Sequence, residues 1–93
     1  MASYRLFETE EYLRCLKKMG TPERLFLERK AREHVYPQLT EQPFFGPNIK
    51  KLAGYKPETW RYRVGRYRIF YLIDEKELII FLLSVEFRKD AYK

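Results

Sequence analysis

The chain has 93 residues, 45% of them hydrophobic and 17% aromatic, with a net charge of +6. That content excludes a disordered chain, and the length predicts a single domain, residues 1–93, with an adequate but small core. The sole cysteine, Cys15, excludes an internal disulfide framework and fits a reducing compartment. The longest apolar run, Leu78–Val85, is far short of the roughly 20 residues that a membrane helix needs. No basic-then-apolar signal stretch opens the chain, so it reads as a soluble, cytoplasmic protein without a membrane partner.

The positive charge is local. Residues 1–49 carry 8 Lys and Arg against 7 Asp and Glu, whereas residues 50–93 carry 11 against 6. Between 50 and 68 stand Lys50, Lys51, Lys56, Arg61, Arg63, Arg66 and Arg68, with Glu58 as the one acid. A patch of this kind attracts polyanions without by itself reading a sequence.

Tyr4-Arg5-Leu6-Phe7 is short and β-prone, and predicts a first strand. Thr9 then suits an N-cap, with Glu10 and Glu11 in the first turn of a helix. Tyr12, Leu13, Leu16 and Met19 recur at helical spacing, and Gly20 is the expected stop. Cys15 on this helix has no second thiol or histidine near it in sequence and reads as filler. Thr21-Pro22-Glu23 predicts a second helix with Thr21 as N-cap and Pro22 at the first helical position. Leu27, Ala31 and Val35 mark its apolar stripe. Pro37 is expected to end or kink it near Tyr36, although a bent last turn through Leu39 remains compatible with the pattern. The one histidine, His34, has no partner in sequence and reads as a surface or boundary residue.

Glu41 to Gly46 is loop-like, and Phe44-Phe45 is expected to tuck back into the core. Asn48 to Tyr55 is ambiguous between a turn of helix and a strand. Trp60–Val64 and Tyr67–Ile73 then predict two strands joined at Gly65-Arg66, a two-residue type II′ turn with glycine where φ is positive. Alternation puts Trp60, Tyr62, Val64, Tyr67, Ile69, Tyr71 and Ile73 on one face. Arg61, Arg63, Arg66 and Arg68 point the other way, with Arg63 directly opposite Arg68. Like charges opposed across a ladder are destabilising, so the arrangement predicts an anion site rather than a stabilising motif. A solvated outer face is the plainer alternative. Asp74-Glu75-Lys76 makes a second turn, and Leu78–Val85, apolar on both faces, predicts a central strand. The sum is an α+β domain in the order β-α-α-β-β-β: an N-terminal strand and an αα-hairpin packed on a mostly antiparallel sheet.

Over essentially its whole length this chain resembles the RelE/ParE superfamily of small toxins, and its RelE-like branch in particular. The residues that carry the likeness are Pro43-Phe44-Phe45-Gly46-Pro47-Asn48-Ile49-Lys50-Lys51-Leu52, the hairpin from Trp60 to Tyr71, and the terminal Phe87-Arg88-Lys89-Asp90-Ala91-Tyr92. The resemblance implies the toxin of a type II toxin–antitoxin pair. Such a toxin is a metal- and cofactor-independent endoribonuclease that cuts mRNA in the ribosomal A site by attack of the RNA's own 2′-hydroxyl. Its implied partners are the ribosome, mRNA and an acidic, partly disordered antitoxin. By the same resemblance, Arg61, Arg63, Arg68, Arg88 and Tyr92 fall on catalytic positions. Arg68 takes the phosphate, Arg88 serves the transition state or leaving group, and Tyr92 stacks on a base or orients the nucleophile. Lys50, Lys51, Arg66 and Lys89 add RNA contacts.

Convergent guanidiniums suit this chemistry, since arginine keeps its charge and grips phosphate with two donors. Relatives often carry lysine at the Arg61 and Arg63 positions, and histidine at Phe87. Arginine accepts no proton, which leaves Tyr92 as the remaining base in the sequence pattern. Two other readings are a ParE-like inhibitor of DNA gyrase and a catalytically weak RNA-binding relative.

Overall fold

The computed structural model describes residues 3–87. Strand β1 (Arg5–Glu8) leads into helix α1 (Glu10–Lys18), whose first turn is closed by Thr9. The Thr9 hydroxyl accepts from the Tyr12 amide and donates to the Leu82 carbonyl at 2.7 Å, tying the helix start to the sheet. Gly20 is not a left-handed helix stop. It holds φ −61° and ψ 154° and is itself the N-cap of α2 (Thr21–Lys30), so that Thr21 is already helical and Pro22 follows it. A Cβ on Gly20 would lie 2.6 Å from Glu23 Oε1, so the missing side chain makes room for that carboxylate.

The stretch 21–41 is helical without interruption. Ala31–Val35 forms a π-helical turn between α2 and α3 (Tyr36–Glu41), with the Tyr36 amide reaching back to the Ala31 carbonyl. Proline lacks an amide hydrogen, and its ring crowds the carbonyl four residues earlier. Widening the turn just ahead of Pro37 relieves both problems, and the expected end at Tyr36 gives way to a helix running on to Glu41.

The rest of the chain is sheet: β2 (Ile49–Lys51), β3 (Trp60–Val64), β4 (Tyr67–Asp74) and β5 (Ile79–Phe87). The ambiguous Asn48–Tyr55 segment thus contains a strand, and the order has one more strand than expected, β-α-α-β-β-β-β. The spatial order is β1-β5-β4-β3-β2, antiparallel except for the β1–β5 pair, so β5 is an inner strand as its two apolar faces demand. At the β3–β4 turn Gly65 takes φ +58°, as the first position of a type II′ turn requires.

One face of the sheet carries the helices. Tyr62, Val64, Ile69, Tyr71, Ile80 and Leu82 are buried there against Tyr12, Leu16, Leu27, Ala31, Val35 and Leu39. Full burial of each aliphatic side chain contributes about 1.5–3 kcal/mol, so these rows dominate stability. Phe44 joins them, edge-on to Trp60 at 5.5 Å and to Tyr4 at 6.4 Å. Phe45 does not tuck in; it is 73% exposed.

Hydroxyls buried with the core find partners. Tyr71 donates to the Pro43 carbonyl at 2.8 Å. Tyr36 donates to Glu8 at 3.2 Å, so in the 2.8 Å Tyr12–Tyr36 contact Tyr12 is the donor. Burial pushes the Tyr12 hydroxyl up to about 12, against the pull of its bond to Tyr36, and pushes Tyr36 and Tyr71 up as well.

Tyr71→Phe leaves the Pro43 carbonyl without its donor and is expected to cost about 1–2 kcal/mol in urea unfolding. A second expectation concerns alkali. Unfolded tyrosines ionise near pH 10, while the folded protein resists ionisation at Tyr12, Tyr36 and Tyr71. Stability from these groups is therefore intact below about pH 10 and lost as pH rises from there toward about 12. Urea midpoints across that window should fall, and should fall less steeply in Tyr12→Phe.

Candidate functional site on the open face of the sheet

Strand pairing decides which side chains share the face away from the helices. Lys50 lies opposite Arg61, Arg61 opposite Phe70, and Phe70 opposite Ser84. In the next row Arg63 lies opposite Arg68, and Arg68 opposite Glu86. Both rows lie on the face opposite Tyr62 and Ile69, whose side chains are buried under the helices. Arg61, Arg63 and Arg68 are therefore brought together as expected, with Lys50 beside them.

Their surroundings differ. Arg61 is half-buried and its Nη1 donates to the Asn48 carbonyl at 3.2 Å, which anchors the guanidinium near the edge strand. Arg63 is exposed. Arg68 stands 5.9 Å over the Phe70 ring, and its Nη2 meets Glu86 Oε1 at 3.4 Å. Its Nε is buried without a hydrogen-bond partner among the described residues.

Two predicted contacts do not join this group. Lys51 lies opposite Trp60 on the other face, 5.9 Å over that ring, and is paired with Glu58 at 2.9 Å. Alternation along β2 forces this, because neighbours Lys50 and Lys51 must point to opposite sides. Arg66 lies in the turn, at the tip of the hairpin rather than in either row. Arg88, Lys89 and Tyr92 lie outside the described residues.

Glu86 is the member that sequence reading missed. Leu82 and Val85 both take core-side positions although they are three positions apart, an odd spacing, because the register shifts opposite Phe70 and Tyr71 and skips Leu83. Simple alternation from Leu82 would send Glu86 toward the helices; the bulge sends it to the open face. Among the described residues no group of His, Cys, Asp and Glu is placed to hold a metal ion. Nor is any helix there long and apolar enough to cross a membrane.

Solved structures share this architecture. The toxin–antitoxin complex RelBE2 of Mycobacterium tuberculosis aligns with a TM-score of 0.72 and 25% identity, over 95% of this chain and 94% of that one. The isolated RelE toxin of E. coli aligns at 0.66 with 26% identity, over 97% and 92%. The intact E. coli RelBE toxin–antitoxin complex aligns at 0.63 with 27% identity, over 89% and 94%. No curated protein sequence gives a match.

Helices on one side of a five-stranded sheet are the architecture this chain shares with the solved RelE toxins, and its class is that of the small toxins of type II toxin–antitoxin systems. The family model for the ParE toxin of the type II toxin–antitoxin system parDE matches residues 23–92. The chain belongs to that family, within the RelE/ParE superfamily, and is RelE-like in structure.

Opposed arginines leave a thermodynamic trace. Arg63→Ala removes the like-charge pair with Arg68 and is expected to raise stability by about 0.3 kcal/mol, read as a higher urea midpoint with an unchanged slope.

Proposed function

We propose that this toxin is a ribosome-dependent endoribonuclease that cuts mRNA in the A site. The observation that carries the reading is the open-face cluster of Arg61, Arg63 and Arg68, in a chain whose structural relatives include RelE toxins. Three guanidiniums with Lys50 match a sugar–phosphate strand laid along the face, and little in the cluster reads base edges. Positioning and base exposure then fall to the ribosome, which supplies the orientation that raises the rate.

In this reading Arg68 grips the scissile phosphate while Arg61 and Arg63 hold its neighbours. The 2′-oxygen attacks phosphorus and the bond to the 5′-oxygen breaks, giving a 2′,3′-cyclic phosphate and a free 5′-hydroxyl. Extra negative charge builds on the phosphoryl oxygens, where fixed guanidiniums lower the barrier. Arg88 is assigned to the transition state or leaving group, and Tyr92 to stacking on a base or orienting the 2′-hydroxyl. The Arg68–Glu86 pair does not block this. The contact is long, at 3.4 Å, and Glu86 is 59% exposed, so the pair contributes about 0–1 kcal/mol and a phosphodiester can compete for the guanidinium.

An acidic antitoxin that covers the basic face is the expected regulator, since the solved relatives include toxin–antitoxin complexes. The place of action is the cytoplasm, where ribosomes translate. The ParE description of the matching family keeps one other reading in play, inhibition of DNA gyrase.

Two assays separate the readings. Mapping of message 5′ ends in a translating extract should reveal new A-site cuts, while gyrase supercoiling proceeds unchanged. Arg68→Ala should slow cleavage by about 10²–10³-fold and abolish growth arrest, with far-UV circular dichroism unaltered. Lys51→Ala, on the other face, should cut like the parent. Supercoiling inhibited without message cleavage would overturn the assignment.

A further inference from the structure

Attack by a 2′-hydroxyl releases a proton that a nearby group can accept. Tyr92, the base that the sequence pattern leaves, lies outside the described residues 3–87. Among the described residues, Arg61, Arg63 and Arg68 cannot accept it, because a guanidinium has no acceptor and does not give up its charge. Tyr12, Tyr36 and Tyr71 are buried on the helix side and hold their protons more tightly than usual. Asp74 is on the sheet too, but its carboxylate caps the next turn through the Lys76 and Glu77 amides, both at 3.0 Å. His34, beside Glu33 at 3.9 Å, lines a hollow with Asn48, Tyr62 and Arg63, on the β2 side of Arg63, whereas Arg68 and Glu86 stand on its β4 side.

Glu86 meets the requirement. It lies in the same row as Arg63 and Arg68, its carboxylate touches Arg68 at 3.4 Å, and its side chain is 59% exposed and open to a ligand. We infer that Glu86 is the general base of the cleavage reaction, an assignment that rests on the nuclease reading above. The Glu86 carboxylate takes the proton of the 2′-hydroxyl as the 2′-oxygen bonds to phosphorus. The bond from phosphorus to the 5′-oxygen breaks, and the leaving 5′-oxygen takes a proton from water. Glu86 returns its proton to solvent after the products leave.

The contact with Arg68 also explains how the base is held and then released. Without RNA the guanidinium holds the carboxylate in place and neutralises it. Arginine has five donors, so a phosphodiester can enter while the carboxylate stays within reach. Once the phosphate shares Arg68, the carboxylate is left beside the bound strand with its own oxygens free to face the 2′-hydroxyl. The charged groups facing it among the described residues are Arg68 on β4 and, one strand further, Arg63 on β3. Ser84, two residues earlier on the same strand and face, is uncharged, and β1 pairs only as far as Leu82.

The test is single-turnover cleavage on ribosomes programmed with a defined message, comparing the parent protein with Glu86→Gln and Glu86→Asp between pH 5 and 8. Glu86→Gln should lower the rate at saturating toxin by about 10²–10⁴-fold, at an unchanged or lower half-saturating concentration. The parent's fall in rate toward acid pH should vanish in that variant, and Glu86→Asp should keep both the limb and part of the rate. Cleavage by Glu86→Gln at the parent rate or faster, with the acid limb intact, would reduce Glu86 to a counter-ion and overturn the assignment alone. A parent that cuts no message would remove the nuclease reading itself, and this inference with it.

Discussion

Everything at the site depends on the register of the β3–β4 hairpin. Tyr62 opposite Ile69 and Val64 opposite Tyr67 present their side chains to the helices, and the Gly65 turn holds that pairing. The period of a strand is two, so a one-residue slip would bring the arginines to the core and the apolar residues to water. Burial decides the contest. Each core side chain contributes about 1.5–3 kcal/mol, whereas the repulsion between Arg63 and Arg68 across the ladder costs about 0.2–1 kcal/mol. The fold can therefore hold its arginines side by side because stronger forces on the opposite face fix their positions.

The same logic explains what could be read from the sequence. The hairpin, its turn, the two faces and the inner position of β5 follow from alternation and from one glycine, which are local signals. The course of the chain past Pro37 was not local: only tertiary packing of Leu39 and the widened turn at Ala31–Val35 keep that helix going. The three-residue β2 is stabilised by β3 rather than by its own sequence. Phe45 looks as apolar as Phe44, but Trp60 and Tyr4 contact Phe44, while Phe45 is 73% exposed. Thr21 has the chemistry of a cap, yet Gly20 takes the position and leaves space for Glu23.

Glu86 is the most instructive gap. A carboxylate six residues beyond Ile80 looked like the polar end of a greasy strand. Its place beside Arg68 depends on a bulge on β5 and on β4 being the neighbour, neither of which is encoded near residue 86. The consequence is chemical. A site of arginines alone can bind and stabilise an anion but cannot accept a proton, and one acid in the row changes what the face can do. Membership of the toxin family accounts for the shape of the molecule, while this carboxylate is a feature of the chain's own residues.

The central claim is that Arg61, Arg63 and Arg68 close together on one RNA phosphate strand. Nitrogen-15 spectra of the arginine side chains, recorded while a 2′-deoxy-blocked RNA trinucleotide is titrated at low salt, address it most directly. The account predicts that the guanidinium signals of Arg61, Arg63 and Arg68 shift together along one binding curve while those of Arg14, Arg24 and Arg29 on the helices stay in place. Signals that move on the helices and remain still on the sheet would contradict it.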